Sequence, residues 1–497
     1  MKINAGERVT SVTVLHLITL RGSLLIFLAA IAIAAVPGFA QDGESRAIEH
    51  GAVVEMENSE TTQALNYCEP EKKRALVLSG GGLKGAFQAG AIYHFIAHRR
   101  CDFSEIAGVS VGSLNAVVLA QAQRDDNPEA SLKNMAERAE KLVDVWHNIR
   151  SSKQILKPRW PGWMWALAVR YGLFGTESLN TFDPLMHLIQ SNVDMDALDR
   201  GRPVRVGSVS LWDGTYREVG PSATFPNNDR KYFLQYVYAS ALIPIVGKMP
   251  RIQQSTDDTK DKEWIQFADG GILNNTPIFN YFRKCKPQVH QEQTAEEPAC
   301  LAWLRPGTPP PQNVQQLFVV VTAPFTKHMD IYPVEPKLLS HGSKQVTDGR
   351  KILFRTIDLI LETDFREDLT LMLESNAVLA WRKRTYDAMM AALTPEQRKT
   401  FDLQFAEIDQ AFPLHSYNEA PDGGPSLPYD AVVVAPEKVY AETFDVDPEN
   451  IALQLHYGCL QADLMMQQDF HMTSMKQKCE ERFPLWNSEP VHSKKKQ

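Results

Sequence analysis

Residues 74–112 read RALVLSGGGLKGAFQAGAIYHFIAHRRCDFSEIAGVSVG, and this stretch decides the fold that we predict for the chain. A short apolar run at 75–78 ends in a glycine turn, and helical spacing follows over 84–99. A second apolar run at 106–109 leads into a second helical stretch over 111–122. Strand, helix, strand, helix at this spacing is typical of a parallel sheet covered by helices.

Later apolar runs predict strands that are able to join the same sheet, which favours one elaborated α/β domain over two domains. The predicted strands cover 204–209, 215–219, 265–268, 317–322 and 431–434, and the predicted helices cover 134–149, 176–190 and most of 345–411.

The first forty residues are typical of a secretory signal peptide. Positive charges precede an apolar run at 24–36, and small residues stand before Gln41, where cleavage is expected. The run is short for a membrane span, although an uncleaved membrane anchor is the alternative. We therefore expect export to the periplasm or the medium, with membrane association as a variant.

The charge balance limits the partners. With a net charge of −8 and a pI of about 5.9, the chain of 497 residues has no basic stripe for nucleic acid. Purely electrostatic docking on an anionic membrane is disfavoured for the same reason. No H-E-x-x-H or C-x-x-C pair predicts a metal site, and no cofactor is expected.

Six cysteines agree with an oxidising compartment, but six allow 15 pairings. Cys68 and Cys101 each precede a predicted strand, so they would share one sheet edge if those strands are parallel neighbours. The local candidates are Cys285 with Cys300 and Cys459 with Cys479. Free buried thiols are the alternative.

Gly108-Val109-Ser110-Val111-Gly112 has the form G-x-S-x-G between a predicted strand and a predicted helix. A nucleophilic serine needs such a sharp turn, and its small neighbours let the hydroxyl project. The helix that follows directs its N-terminal dipole at developing negative charge. The alternative is a glycine-bounded turn in which Ser110 only caps the helix.

The glycine loop at Gly80, Gly81, Gly82 and Gly85 could present backbone N–H groups to a phosphate or to an oxyanion. Its G-x-G-x-x-G form also fits a dinucleotide-binding loop, but that fold wants an acidic residue at the end of the next strand. That strand ends instead at the serine motif, which favours the oxyanion.

Asp269 follows a third predicted strand and precedes Gly270 and Gly271. A carboxylate at a strand end can accept the proton of a hydroxyl at a neighbouring strand end. An aspartate in an ordinary glycine turn is the alternative.

The three motifs, in this order, resemble the patatin-like phospholipases, whose pattern is a G-G-G-x-[RK]-G loop, a G-x-S-x-G elbow and a D-G-[AG] turn. The segments at 172–179 and 239–244 also resemble the family. Residues 246–248 depart from the family pattern, so the resemblance does not identify the residues that line the acyl site there. The likeness runs from about 74 to 322, with weaker echoes up to about 465.

The resemblance implies a three-layer α/β/α sandwich with a mostly parallel central sheet and helical insertions. Ser110 would attack an acyl ester, and Asp269 would accept its proton and then activate water. Gly80, Gly81 and Gly82 would hold the oxyanion, with Gly85 completing their loop. The implied partners are a lipid or acyl-ester substrate and, as a candidate, a membrane surface.

On this basis we expect a signal peptide at 1–40, a linker at 41–70 and a catalytic core at 71–325. A helical extension with a late strand would pack on the core at 326–480, and a polar tail would follow at 481–497.

Three other functions are compatible with parts of this pattern. An acyltransferase would pass the acyl group to an alcohol on the same scaffold. An α/β-hydrolase triad would use Ser110, Asp269 and a later histidine such as His456. A lipid-binding protein on an inactive scaffold would have no need of Ser110.

Overall fold

A computed structural model describes residues 67–159, 178, 180–221, 230–244, 246–255, 262–282, 314–325, 349–411, 414, 416–418, 425–437 and 446–485. All of them lie in one unit of the chain, Thr62–Gln497. The predicted signal peptide and the pair Cys285 and Cys300 lie outside the described residues.

The strands are β1 Arg74–Leu78, β2 Glu105–Val109, β3 Lys157–Pro158, β4 Asn180–Thr181, β5 Val204–Ser210, β6 Tyr216–Val219, β7 Arg251–Ser255, β8 Lys262–Asp269, β9 Gln316–Val320 and β10 Asp430–Val434. The helices are α1 Gly85–Tyr93, α2 Val111–Ala120, α3 Pro128–His147, α4 Asp183–Asn192, α5 Met195–Arg200, α6 Phe233–Ser240, α7 Phe279–Phe282, α8 Gly349–Ala392, α9 Pro395–Ala411, α10 Pro448–Phe470 and α11 Lys476–Arg482.

Eight strands form the central sheet in the order β10-β9-β1-β2-β5-β8-β7, with β6 also paired to β5. The pairs from β10 through to β5 are parallel. The pairs of β5 with β6, β5 with β8 and β7 with β8 are antiparallel. The two short strands β3 and β4 form a separate pair.

The strand β5 sets the geometry of the site because it pairs with three strands. Residues 206–207 pair with both β2 and β6, so those two strands lie on opposite edges of β5. Residues 208–209 pair with both β6 and β8, so β8 lies on the same edge as β2. The strands β2 and β8 therefore approach each other end to end along one edge.

The two faces of the sheet bury different side chains, because neighbouring strand residues point to opposite faces. Leu76 and Leu78 pack in the core beneath α1, α2, α3 and α10. Ala75 and Val77 pack in a second core with α7 and α8. Helices thus cover both faces, which confirms the predicted three-layer α/β/α fold with a mostly parallel sheet.

The C-terminal helices belong to this core. Helix α10 crosses α1 so closely that a Cβ at Gly90 would lie 2.0 Å from the Leu455 carbonyl oxygen. A Cβ at Gly458 would likewise lie 2.0 Å from the Phe87 carbonyl oxygen. Glycine is therefore required at both positions for the helix backbones to touch.

Two of the three proposed cysteine pairs are disulfides in the structure, Cys68 with Cys101 and Cys459 with Cys479. The first lies where predicted, because β1 and β2 are parallel neighbours. Among the helices described, none is both long enough and apolar enough to cross a membrane.

Local differences from the predicted elements have local causes. The predicted helix over 84–99 is divided, because α1 passes at His94–His98 into a wider π-helical turn. The helix predicted from 176 begins at Asp183, where a proline fits the first turn. Strand β7 was not predicted, since its sequence RIQQS is mostly polar and it pairs only with β8 in the described sheet.

Candidate active site

Ser110 stands at the turn between β2 and α2 with φ 55° and ψ −127°. A positive φ is costly for a residue with a side chain, and such strain is found where function requires it. Its N–H donates to Ser240 Oγ at 2.9 Å, and Ser240 Oγ donates to the Gly207 carbonyl at 2.6 Å. The turn is therefore held by a hydroxyl from the end of α6.

Gly112 lets the first turn of α2 lie against the end of β1. A Cβ at this position would stand 2.4 Å from the Leu78 carbonyl oxygen and 2.6 Å from that of Ser79. The space that a Cβ at Gly108 would need is filled by the backbone of Gly112. Both glycines of the serine motif thus serve the close packing that keeps the turn sharp.

Asp269 ends β8 and is fully buried. Its Oδ1 accepts the Gly271 N–H at 2.8 Å, while Oδ2 has no hydrogen-bond partner of ordinary geometry within the described residues. Burial raises the pKa of this carboxyl to about 7, although hydrogen bonding by the Ser110 hydroxyl and the Gly271 N–H lowers it. A carboxylate with this pKa can accept a proton near neutral pH.

The register of β5 brings these two residues together. Val109, the last residue of β2, pairs with Gly207, and Asp269 pairs with the next residue, Ser208, on the same edge. Ser110 follows Val109 directly, so it occupies the gap where β2 and β8 meet. The Gly270 turn after Asp269 is equally tight, since a Cβ there would lie 2.5 Å from the Gly207 carbonyl oxygen.

The glycine loop lies directly beside the serine. A Cβ at Gly80 would stand 3.0 Å from the Cβ of Ser110 and 2.2 Å from Asn275 Oδ1. The Gly80 carbonyl accepts the Thr322 hydroxyl at 2.5 Å. The loop is therefore clamped between the serine turn and the end of β9.

The N–H groups of the loop are not equivalent. Gly80 donates its N–H to the Asn275 carbonyl at 3.0 Å, and Gly85 donates to the Gly82 carbonyl. The N–H groups of Gly81 and Gly82 make no hydrogen bond to any residue that the structure describes. Gly81 and Gly82 also have φ of 152° and 59°, which suits residues without a side chain.

An apolar cavity opens at the serine. The volume of this cavity is about 100 Å³. Ser110 and Gly82 stand in its wall. The remaining wall is largely apolar and includes Leu114, Leu142, Trp146, Phe182, Leu185 and Ile189.

Three residues at this site were not singled out from the sequence. Ser240, Asn275 and Thr322 hold the serine turn and the glycine loop. Ser240 lies in the segment 239–244 that resembles the family, and that likeness was its only signal. Asn275 accepts the Gly80 N–H through its backbone carbonyl, and Thr322 donates through its hydroxyl to the Gly80 carbonyl. No local sequence pattern reveals either contact.

No hydrogen bond of Ser110 or Asp269 within the described residues involves a histidine. The predicted triad candidate, His456, lies on α10, where its Nδ1 is 2.6 Å from the Phe483 carbonyl oxygen. The histidines at 290, 328, 341 and 415 lie outside the described residues.

Within the described residues, the α/β/α fold places a strained serine at a strand-to-helix turn beside a buried carboxyl. Residues 76–280 match the family model described as Patatin-like phospholipase, less than half of the 497-residue chain. The match confirms the resemblance drawn from the three motifs and supports lipid acyl hydrolase activity.

Among solved structures, the crystal structure of VipD from Legionella pneumophila is similar to this chain at 12% identity. The likeness covers 80% of this chain and 67% of VipD, with a TM-score of 0.28, which is too low to carry an argument. No curated protein matches the chain.

Proposed function

We propose that the chain is a serine lipid acyl hydrolase of the phospholipase A or lysophospholipase kind, which works through a dyad of Ser110 and Asp269. The observation that carries the proposal is the meeting of β2 and β8 on one edge of β5, with an apolar cavity at the serine. An acyl chain suits such a cavity because it gains from leaving water.

In the proposed reaction the Ser110 hydroxyl oxygen bonds to the ester carbonyl carbon while its proton passes to Asp269. The carbonyl oxygen becomes an oxyanion, which accepts hydrogen bonds from the N–H groups of Gly81 and Gly82. Gly80 and Gly85 shape the loop rather than donate, because their N–H groups are already bonded. As the oxyanion collapses, the leaving alcohol takes the proton from Asp269.

The second half of the reaction repeats these roles. Water gives a proton to Asp269 and its oxygen bonds to the acyl carbon, after which the Ser110 oxygen leaves and recovers the proton. The fatty acid is released and both side chains return to their starting states. If an alcohol takes the place of water, the same steps make the chain an acyltransferase.

The test is to incubate the purified full chain with vesicles of mixed membrane lipids and to identify the products by mass spectrometry. We expect free fatty acid together with lysolipid or deacylated headgroup. Added glycerol separates the two variants, since a transferase forms a new acylglycerol while a hydrolase forms only fatty acid.

Ser110→Ala should lower product formation by at least about a thousandfold, since the nucleophile is lost. Ser191→Ala is the matched control, because that serine lies exposed on α4. If Ser110→Ala keeps near-normal turnover while its circular dichroism is unchanged, Ser110 is not the nucleophile.

A further inference from the structure

A second cluster of reactive side chains lies where the π-helical turn after α1 meets α10 and α11. It consists of His94 and His98 from the turn, Cys459 from α10 and Cys479 from α11, and we call it the His2Cys2 cluster. His94 and both cysteines are fully buried, and His98 is 8% exposed. One nitrogen or sulfur atom from each residue lies within 4.8 Å of the other three.

The distances in the cluster match a tetrahedral zinc site. Zinc binds nitrogen at about 2.0–2.1 Å and sulfur at about 2.3 Å, so tetrahedral geometry puts two nitrogens about 3.3 Å apart and nitrogen and sulfur about 3.6 Å apart. The two Nδ1 atoms are 3.2 Å apart. Three of the four Nδ1 to Sγ distances are 3.4, 3.7 and 3.9 Å.

The two sulfurs depart from this geometry, because they are bonded to each other as a disulfide. In a zinc site they would stand about 3.8 Å apart. Opening the S–S bond is therefore the main change that zinc binding requires of the cluster.

Asp463 and Arg99 both lie beside His94 Nε2. Asp463 Oδ1 is 3.4 Å from this nitrogen, so it is placed to accept an Nε2–H once the His94 proton moves there and leaves Nδ1 to a metal. A carboxylate behind a histidine ligand is a common feature of zinc sites. In the disulfide state that the structure shows, Arg99 Nε donates to His94 Nε2 at 3.1 Å, and Asp463 in turn holds the Arg99 guanidinium.

We propose that the His2Cys2 cluster binds one Zn²⁺ ion when its two cysteines are thiols, and that the disulfide is the metal-free state of the same site. Two thiolates and two imidazoles in tetrahedral geometry favour zinc over the harder divalent cations. With four protein ligands the site is closed, so its role is structural. It fastens α10 and α11 to the turn that follows α1.

The disulfide takes up two electrons and two protons to become two thiols, and a phosphine reductant supplies the electrons. The phosphine ends as its oxide with oxygen from water. Zinc binding then displaces the two thiol protons to solvent.

The experiment measures zinc in the purified full chain after phosphine treatment, incubation with zinc chloride and desalting, all without oxygen. We expect about one zinc ion per reduced chain and none above background in the oxidised chain. The double variant Cys459→Ser with Cys479→Ser should hold at most about a tenth of that zinc. The matched control, Cys68→Ser with Cys101→Ser, removes the other described disulfide and should keep the full amount.

If the double variant Cys459→Ser with Cys479→Ser fails to fold, the visible absorption spectrum of the reduced wild-type chain tests the proposal instead. Bound Co²⁺ in place of zinc should give the strong visible bands of a tetrahedral ion and a thiolate-to-metal absorption. His98→Gln should change these bands, since one nitrogen ligand is lost. Zinc equally reduced in both double variants, or a cobalt spectrum without thiolate absorption, would overturn the proposal.

Discussion

At the scale of a single residue, the burial of Asp269 favours its role as proton acceptor and disfavours the stability of the fold. Its complete burial raises the pKa of the carboxyl to about 7, which suits a proton acceptor. The same burial makes the charged form costly in the folded protein. A group arranged for catalysis is therefore expected to reduce stability, and the two effects can be measured separately.

The first consequence concerns activity. Asp269→Asn should lower turnover as severely as Ser110→Ala, because the amide cannot accept the serine proton. In the wild type, kcat/KM should fall about tenfold per pH unit below about pH 6, as the carboxyl becomes protonated. A pH profile with a chromogenic acyl ester measures this.

The histidines provide the control for this prediction. Single replacement of each histidine from 290 to 471 should leave at least about a tenth of the activity, or about 1.4 kcal/mol of barrier at most. A folded histidine variant as inactive as Ser110→Ala would favour a triad instead.

The second consequence concerns stability. The folded pKa of about 7 lies above the ordinary value of 3.8, so the folded state binds the proton more tightly between these two pH values. The contribution of Asp269 to stability is then fully present below about pH 4 and is lost as the pH rises through 7. Three pKa units correspond to about 4 kcal/mol as an upper limit.

Asp269→Asn should therefore be more stable than the wild type at pH 8, and the difference should shrink as the pH falls towards 4. Urea unfolding at both pH values measures it. Asp144→Asn, on the exposed side of α3, is the control and should change little. Equal stability of Asp269→Asn and wild type at pH 8 would contradict the proposed cost of burial.

At the scale of the elements, the serine turn depends on a helix that carries no reacting group. The last residue of α6, Ser240, joins the Ser110 N–H to the Gly207 carbonyl, and so ties α6 to the turn and to β5. Ser240→Ala removes this link and leaves a buried N–H without an acceptor, which costs about 1–3 kcal/mol.

We expect Ser240→Ala to lower kcat about ten- to a hundredfold with little change in KM, because the nucleophile loses its orientation while the cavity is kept. Ser240→Thr keeps the hydroxyl and should restore part of the rate. A Ser240→Ala enzyme with normal kcat would show that the strain at Ser110 is maintained by other contacts.

The elements that the sequence predicted best are those with short-range signals. After a charged first residue, strands β1 and β2 are each an unbroken apolar run, and consecutive glycines mark the turn that follows β1. The antiparallel course of β8 left no such signal, because pairing between distant strands depends on packing rather than on local pattern. The role of Ser240 left no local signal either, because the Ser110 N–H that its hydroxyl accepts lies 130 residues earlier in the chain.

At the scale of the whole molecule, the matched segment 76–280 does not contain the complete core. Strands β9 and β10 extend the sheet beyond it, and α10 covers α1. Ile451, Leu455 and Met466 of α10 are buried, and each contributes about 1.5–3 kcal/mol. Their sum is a large part of the usual 5–15 kcal/mol of domain stability.

A chain that ends at residue 325, the predicted end of the catalytic core, should therefore lack a cooperative thermal unfolding transition. Scanning calorimetry on this fragment and on the full chain measures the difference. Removal of 486–497 alone is the control and should leave the transition in place. A fragment ending at 325 that unfolds cooperatively near the temperature of the full chain would show that α10 is dispensable.

The parallel pairing of β1 with β9 has a consequence for the newly made chain. Thr322, just after β9, bonds to Gly80, 242 residues earlier in the sequence. At about 5–20 residues per second, the ribosome needs roughly 10–50 s to complete the interval. During that time the apolar strand β1 has one edge without its native neighbour, and such an edge recruits other strands. That edge of β1 is therefore open to association with other chains until the last strands of the sheet exist.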